Sequence, residues 1–265
     1  MDINLKNRKV VITGVSEGIG RSLALAFGEA GALVAGSARN RERLSAIESE
    51  ISGAGHFFYS ADFSKSDDIQ TFHNKAISAM GGVDILINNV GSIQKLAGFF
   101  ELSDEDWQEA FDVNLMSAVR TCRLFSSSLR QSDSARIINI TSVAASRPGD
   151  VFPHYSAVKA GLCNLTISLA RTLASDKVLV NSVSPGPVWS KSWDDEAKNI
   201  AEKSGNDLQG IVDEMQTSSA ETLLLKRMGV PNDVTGLVLF LASDLSGWIT
   251  ASNFTVDGGF AQNPY

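Results

Sequence analysis

The sequence predicts a single doubly wound α/β domain: a mainly parallel seven-stranded sheet with helices on both faces and a late helical insertion. Three observations carry this expectation. Short, almost continuous apolar runs recur along the 265 residues. Segments with helical spacing lie between them, and the first run leads directly into a glycine-rich turn. Strands covered by helices on both faces need continuous apolar runs rather than alternation. Regular strand–helix alternation suits parallel strands, whose connections must cross over the sheet.

The elements follow in order. KVVIT (9–13) is the first strand, and the turn and helix TGVSEGIGRSLALAFGEAG come after it. LVAGS (33–37) precedes RERLSAIESEI, where Leu44, Ile47 and Ile51 share one helical side and charged residues take the other. HFFYSA (56–61) precedes SDDIQTFHNKAISAM, with Ile69, Phe72, Ala76 and Ile77 on its apolar side. VDILIN (83–88), RIINI (136–140), VLVNSV (178–183) and NFTV (253–256) complete the strands. The helical stretches around Trp107–Leu129 and Tyr155–Ala174 carry more apolar residues than burial on one side requires. No linker or low-complexity tract divides the chain, so residues 1–265 read as one domain. Only the polar, helical stretch at 189–227, opened by Trp189 and Trp193, breaks the rhythm. It falls after a strand end, on the edge where open α/β sheets bind ligands, and residues 188–228 are expected to form a substrate lid.

Bulk properties exclude several classes. The chain is 43% hydrophobic and 20% charged, enough apolar material for a sizeable core. A formal charge of −7 argues against nonspecific nucleic-acid binding. Two cysteines, Cys122 and Cys163, give neither a disulfide framework nor a metal site; both are expected to be buried, inert thiols in a reducing compartment. The segment MDINLKNRKVVITG lacks a secretory layout, and its apolar run is too short to span a bilayer. A cytoplasmic protein without a membrane partner is the expectation.

The glycine turn is the first chemical signal. Gly14, Gly18 and Gly20 are spaced G-x-x-x-G-x-G between strand and helix. Glycines permit positive φ and let backbone N–H groups approach a pyrophosphate, while the helix opening at Gly18 presents its positive end to that anion.

Further motifs join it in register. The chain resembles a compact short-chain dehydrogenase/reductase through TGVSEGIG at 13–20, NNVG at 88–91, Asn114 in DVNL, Ser142 in ITSVA, Tyr155 and Lys159 in HYSAVK, SPGPV at 184–188 and VDGG at 256–259. In style it is most similar to the 3-oxoacyl thioester reductases. The resemblance implies a Rossmann-type fold, a nicotinamide cofactor and Asn114, Ser142, Tyr155 and Lys159 as catalytic residues. It gives Ser142 the substrate oxygen, Lys159 the nicotinamide ribose, and Asn114 a water connecting Lys159 to solvent. Cofactor contacts are implied for Gly14, Ser16, Glu17, Gly18, Ile19, Gly20, Arg39, Asp62, Phe63, Asn89, Gly91, Pro185, Gly186, Val188 and Ser190, besides Tyr155 and Lys159. Asp62 would bind the adenine amino group. Enoyl reductases of related fold place more residues between tyrosine and lysine, so three intervening residues point to carbonyl–alcohol chemistry.

Reducing a ketone requires hydride on carbon and a proton on oxygen. Free tyrosine titrates near 10, so matching neutral pH takes roughly 4 kcal/mol of preference for phenolate. An ammonium one helical turn away from Tyr155, with an oxidised nicotinamide ring nearby, favours phenolate by charge, and the expectation is a lowered phenol pKa.

NADP(H) is favoured and NAD(H) remains open. No carboxylate precedes Arg39, and Ala38 stands where an NAD-type fold places its ribose-binding acid. Arg39, Arg41 and Arg43 crowd a helix start, an unfavourable place for cations that an anion would relieve. Glu17 cuts the other way: it would repel a 2′-phosphate or pair with Arg39. The substrate is expected to be a small ketone or alcohol, with Val143, Ala144, residues 149–154, residues 92–100, Trp189, Trp193 and Met228 around it. His154 is expected to pack or face solvent. A homotetramer or homodimer is implied by resemblance. The alternatives are a reductase restricted to carrier-bound 3-oxoacyl chains and a non-catalytic dinucleotide sensor.

Overall fold

The computed structural model describes residues 3–262, so the outermost positions of the expected 1–265 domain lie outside the described residues. Seven parallel strands form one sheet: β1 (Lys9–Thr13), β2 (Leu33–Ala38), β3 (Phe57–Ser60), β4 (Ile85–Asn88), β5 (Arg136–Ile140), β6 (Leu179–Pro185) and β7 (Asn253–Val256), in the order β3-β2-β1-β4-β5-β6-β7. The helices are α1 (Gly18–Glu29), α2 (Arg41–Glu50), α3 (Ser66–Met80), α4 (Asp104–Phe111), α5 (Ser117–Leu129), α6 (Pro153–Leu173), α7 (Lys191–Ser204), α8 (Leu208–Glu221) and α9 (Pro231–Ala242).

Strand periodicity divides the core in two. Val10, Ile12, Val34, Ile85 and Ile87 face one side, under Leu23 and Phe27 of α1, Leu44 and Ile47 of α2, and Val234, Val238 and Leu241 of α9. Val11, Ala35, Leu86 and Ile137 face the other, against Ile69 and Phe72 of α3, Phe125 and Leu129 of α5, and Ala170 and Leu173 of α6. Successive strand residues point to opposite faces, which is why each central strand reads as an unbroken apolar run. A buried phenylalanine such as Phe72 is worth about 3–5 kcal/mol against alanine.

The expectation of cover on both faces fails at the sheet margins. Residues 57–59 of β3 are only half-buried and Ser60 is exposed, and Asn253 and Thr255 of β7 are exposed. Each strand has a neighbour on one side only.

The chain moves outward from β1 to β2 and β3, then returns to place β4 on the other side of β1. A crevice opens where two such connections diverge, at the C-terminal ends of β1 and β4. The stretch at 188–228 is built as α7 and α8, with its base closed by a parallel bridge between Val188 and Gly229. Trp189 and Trp193 stack at its entrance with centroids 5.7 Å apart, and Trp189 Nε1 donates to Asp194 at 2.9 Å. The helix expected around Trp107–Leu129 is unbroken but not α-helical throughout. Between α4 and α5, residues Asp112–Met116 form one π-helical turn.

Candidate active site

The glycine turn is pinned from two strands. Gly14 N and Val15 N both donate to Ser37 O of β2 at 2.9 Å. From the end of β4, Asn89 Nδ2 donates to Thr13 O at 3.0 Å and Gly14 O at 2.9 Å. Thr13 Oγ1 accepts from Asn89 N and Val90 N at 3.0 Å. Asn89 therefore uses its side chain to hold the turn rather than to face a ligand. Gly14 and Gly18 sit at φ +74° and +55°, and a Cβ on Gly20 would lie 2.0 Å from Gly14 O. These three positions exclude side chains.

This turn fits a pyrophosphate. Helix α1 has no acidic residue in its first turn and no side chain capping its N–H groups, leaving orphan donors and the positive helix end for an anion. Ser16 is half-buried within the turn, and Ile19 packs partly against the first core. Ser190 Cβ lies 3.6 Å from where a Gly18 Cβ would stand, so the start of the insertion closes over the turn. Pro185 ends β6; Gly186 N donates to Val256 O at 2.9 Å, and a Cβ there would strike Asp257. Val188 forms the bridge at the base of the insertion.

Arg39 and Asp62 follow β2 and β3 and border the turn. Ala61 N donates to Ala38 O at 3.1 Å and Ser60 Oγ to Arg39 O at 2.9 Å. Burial raises the Asp62 carboxyl pKa, but donation by Ser64 N–H and hydroxyl, with the charges of Arg39 and Lys65, outweighs it and holds the group below its usual value. Phe63 buries its ring edge-on to Phe72, 5.6 Å between centroids, which leaves its backbone for a ligand. Glu17 does not pair with Arg39. Its carboxylate pairs with Arg43 instead, because Arg43 lies in the first turn of α2, where the Asn40 side chain accepts from Arg43 N at 2.9 Å.

The four polar residues converge at the C-terminal ends of β4 and β5. Helix α6 carries Tyr155 and Lys159 on one face, and Lys159 Nζ lies 5.6 Å from the Tyr155 ring centroid. Lys159 is 2% exposed and donates to Ile140 O, the last residue of β5, at 3.0 Å. Ser142 follows that strand in extended backbone, and its hydroxyl accepts from Ala144 N at 3.1 Å. Asn114 lies in the π-helical turn, fully buried. It donates to Ser92 O and Ala110 O at 3.1 Å and accepts from Ser92 N at 3.0 Å. A Cβ on Gly91 would lie 2.7 Å from Lys159 Nζ and 2.9 Å from Asn114 Oδ1, so Gly91 lets both reach the same small volume.

The electrostatics are set by desolvation. Burial pushes the Tyr155 phenol above its ordinary value, and the Ser142 hydroxyl only partly opposes it. Burial also pushes Lys159 down to about 8. The lysine is itself desolvated and directs its hydrogen bond to a carbonyl. The lowering expected from the ammonium and an oxidised nicotinamide together belongs to the cofactor-bound site; in the protein alone, burial dominates the phenol.

Around this centre, Phe152 meets Tyr155 edge-on at 6.2 Å, and Gly149 abuts the Phe152 ring. Phe99 and Phe100 are 60% and 98% exposed, and the Ala97 N–H to Val151 O bond of 2.8 Å joins their loop to the segment before Tyr155. Met228 is buried. His154 packs rather than faces solvent: it is fully buried edge-on to Trp107, and burial lowers its pKa. Cys122 is buried, its thiol pushed up to about 12. Cys163 is half-buried in the single chain, beside Asn253 at the β6–β7 margin.

A polar network beneath the site escaped the sequence reading. Asn88 Nδ2 donates to Asn139 Oδ1 at 2.8 Å, Thr121 Oγ1 to Asn88 Oδ1 at 2.6 Å, and Asn139 Nδ2 to Thr166 Oγ1 at 2.9 Å. It ties β4 and β5 to α5 and α6 and so fixes the helix that carries Tyr155. The asparagine interrupting the apolar run RIINI was the available signal, since a buried amide needs partners.

Comparison with known proteins adds independent findings. A family model described as enoyl-(acyl carrier protein) reductase matches residues 14–261. The chain is 34% identical over 264 residues to the uncharacterized oxidoreductase YvrD of Bacillus subtilis, covering 99% of this chain and 100% of that protein. It is 32% identical over 258 residues to the 3-oxoacyl-[acyl-carrier-protein] reductase FabG of Staphylococcus epidermidis, covering 96% and 98%. Its fold superposes on the crystal structure of L-sorbose reductase from Gluconobacter frateurii complexed with NADPH and L-sorbose, with TM-score 0.91, 28% identity, and 99% and 100% covered.

Proposed function

Because the chain belongs to the short-chain dehydrogenase/reductase family of oxidoreductases, we propose that it interconverts a ketone and a secondary alcohol with NADP(H), using Tyr155 as general acid and base. The observation that carries this reading is the convergence of Tyr155 and Lys159 on one face of α6 beside Ser142 and Gly91. The nicotinamide supplies or accepts the hydride. The chain's own residues handle the proton. In reduction the Tyr155 hydroxyl donates to the carbonyl oxygen, and the Ser142 hydroxyl holds that oxygen in place. Lys159 and Asn114, flanking Gly91, position the ribose side of the site and return a proton from solvent to the Tyr155 phenolate. The glycine turn and α1 hold the pyrophosphate, Asp62 and Phe63 the adenine, Arg39 the 2′-phosphate, and residues 185–190 the nicotinamide.

The raised phenol pKa suits reduction, since the proton stays on Tyr155 at neutral pH and is ready to be given. NADP(H) is supported by the arginine after β2, the absence of an acid at Ala38, and the NADPH bound in the L-sorbose reductase crystal. Three residues between Tyr155 and Lys159 favour carbonyl chemistry over the enoyl reduction in the family model's description. We read the chain as one catalytic domain, with residues 188–228 as a substrate lid, working in the cytoplasm as a dimer or tetramer. Phe111 on α4 and Ile167 on α6, 39% and 41% exposed, support pairing through those helices. No helix among the described residues is long and apolar enough to cross a membrane.

A second reading is reduction of carrier-bound 3-oxoacyl chains. It is supported by the likeness to FabG and by the exposed apolar side chains of Leu96, Phe99 and Phe100. The test is NADPH oxidation against a panel of ketones, sugars and 3-oxoacyl thioesters, with NADH in parallel. The proposal predicts turnover of free ketones that is lost in Tyr155→Phe. Turnover of carrier-linked substrates alone selects the second reading. Cofactor binding without turnover of any substrate points to a sensor.

A further inference from the structure

We propose that Arg43 sets the cofactor preference without touching the cofactor, by holding the Glu17 carboxylate away from the 2′-phosphate of NADP(H). The inference rests on the NADP(H) reading above. Three placements carry it. The glycine turn that carries Glu17 borders the end of β2 through the two bonds from Gly14 and Val15 to Ser37 O, two residues before Arg39. Arg39 makes no ion pair among the described residues, while its backbone is fixed by Ser60 Oγ. Glu17 is instead paired with Arg43, which the Asn40 cap holds at the start of α2.

The arrangement separates two cations by task. A carboxylate in this turn would repel a phosphate dianion placed near Arg39, or would compete with it for that guanidinium. Arg43 removes both effects: it neutralises Glu17 and fixes its direction, leaving Arg39 available. Glu17 and Arg43 are 43% and 40% exposed, so their pairing adds little to fold stability and its removal leaves the fold intact. Arg43 is a positioning residue, acting through Glu17.

Dissociation constants for NADPH and NADH, measured by fluorescence titration of the substrate-free protein, test this. In Arg43→Met, NADPH binding is expected to weaken roughly tenfold, the equivalent of about 1.4 kcal/mol, while NADH binding changes less than about twofold. Adding Glu17→Gln to that variant is expected to restore NADPH binding, and Arg43→Lys is expected to keep most of it. If the double variant stays as weak as Arg43→Met, Arg43 itself contacts the phosphate and the inference fails. It fails equally if NADH and NADPH weaken together. A wild-type protein that prefers NADH overturns the cofactor reading and this inference with it. A wild type that prefers NADPH, with Arg43→Met unchanged, overturns only the role of Arg43.

Discussion

Lys159 Nζ donates to the Ile140 carbonyl oxygen at 3.0 Å, one helical turn from Tyr155. The bond anchors the helix to the last residue of β5 and sets the lysine between a strand end and a phenol. It also means that a charged group is held with almost no access to water, which has consequences for stability as well as chemistry.

The first consequence concerns pH. Lys159 titrates at about 8 in the folded protein, below its ordinary value. Between that pH and the unfolded value near 10.4, the unfolded chain binds more protons, so stability from this group rises with pH. Below about 8 both states are protonated and the full cost of burial stands. Lys159→Met is therefore expected to raise the stability of the cofactor-free protein at pH 7 by about 1–3 kcal/mol while abolishing turnover. Denaturant unfolding of both proteins at pH 7 and pH 10 checks it; a gap that does not narrow at pH 10 contradicts the assignment.

Tyr155→Phe keeps the ring that meets Phe152 and removes only the hydroxyl. Loss of a general acid costs about 10²–10⁴-fold in rate, so kcat should fall by that factor with NADPH affinity nearly unchanged. The wild-type pH profile follows from the raised phenol. Reduction should stay flat through neutral pH, whereas alcohol oxidation, which needs the phenolate, should climb as pH rises. Steady-state rates in both directions across pH 6–10, a range bracketing the reference value for tyrosine, provide the comparison.

Gly91 tests how closely the site is fitted. A methyl group there would enter the space of Lys159 Nζ and Asn114 Oδ1. Gly91→Ala should displace the lysine and reduce kcat at least about tenfold, with a smaller change in melting temperature than a core substitution. Isotherms for NADPH alongside the rates separate displaced chemistry from lost binding.

Cofactor choice should be reversible at β2. Ala38→Asp combined with Arg39→Leu places an acid for a ribose hydroxyl and removes the cation for a phosphate. The ratio of kcat/KM for NADPH over NADH is expected to fall by about 10²-fold or more, equivalent to about 3 kcal/mol. Each cofactor is titrated at saturating substrate to obtain that ratio.

The sequence made the sheet legible because strands covered on both faces leave an unmistakable run of apolar residues; Lys9–Thr13 and Arg136–Ile140 are found within the predicted limits. The edge strand β7 was legible as well, at the limits of NFTV, although it exposes Asn253 and Thr255. The site residues could be named from their motifs, but not their partners. Glu17 finding Arg43 instead of Arg39 depends on how α2 is capped by Asn40, and side-chain choices on a surface leave no periodic trace. The burial of Tyr155 and Lys159 was not legible for a similar reason: spacing along a helix gives proximity, whereas burial of both groups depends on the entire fold.

The single π-helical turn at Asp112–Met116 amounts to one surplus amino acid in an otherwise regular rod. Removing a residue there would yield a smoother helix with nearly the same course, yet it would close the widened turn that carries Asn114. Asn114 would then lose its grip on Ser92. A shortened variant that melts no lower than its parent but has lost its turnover would show that this irregularity is kept for the reaction rather than for the fold.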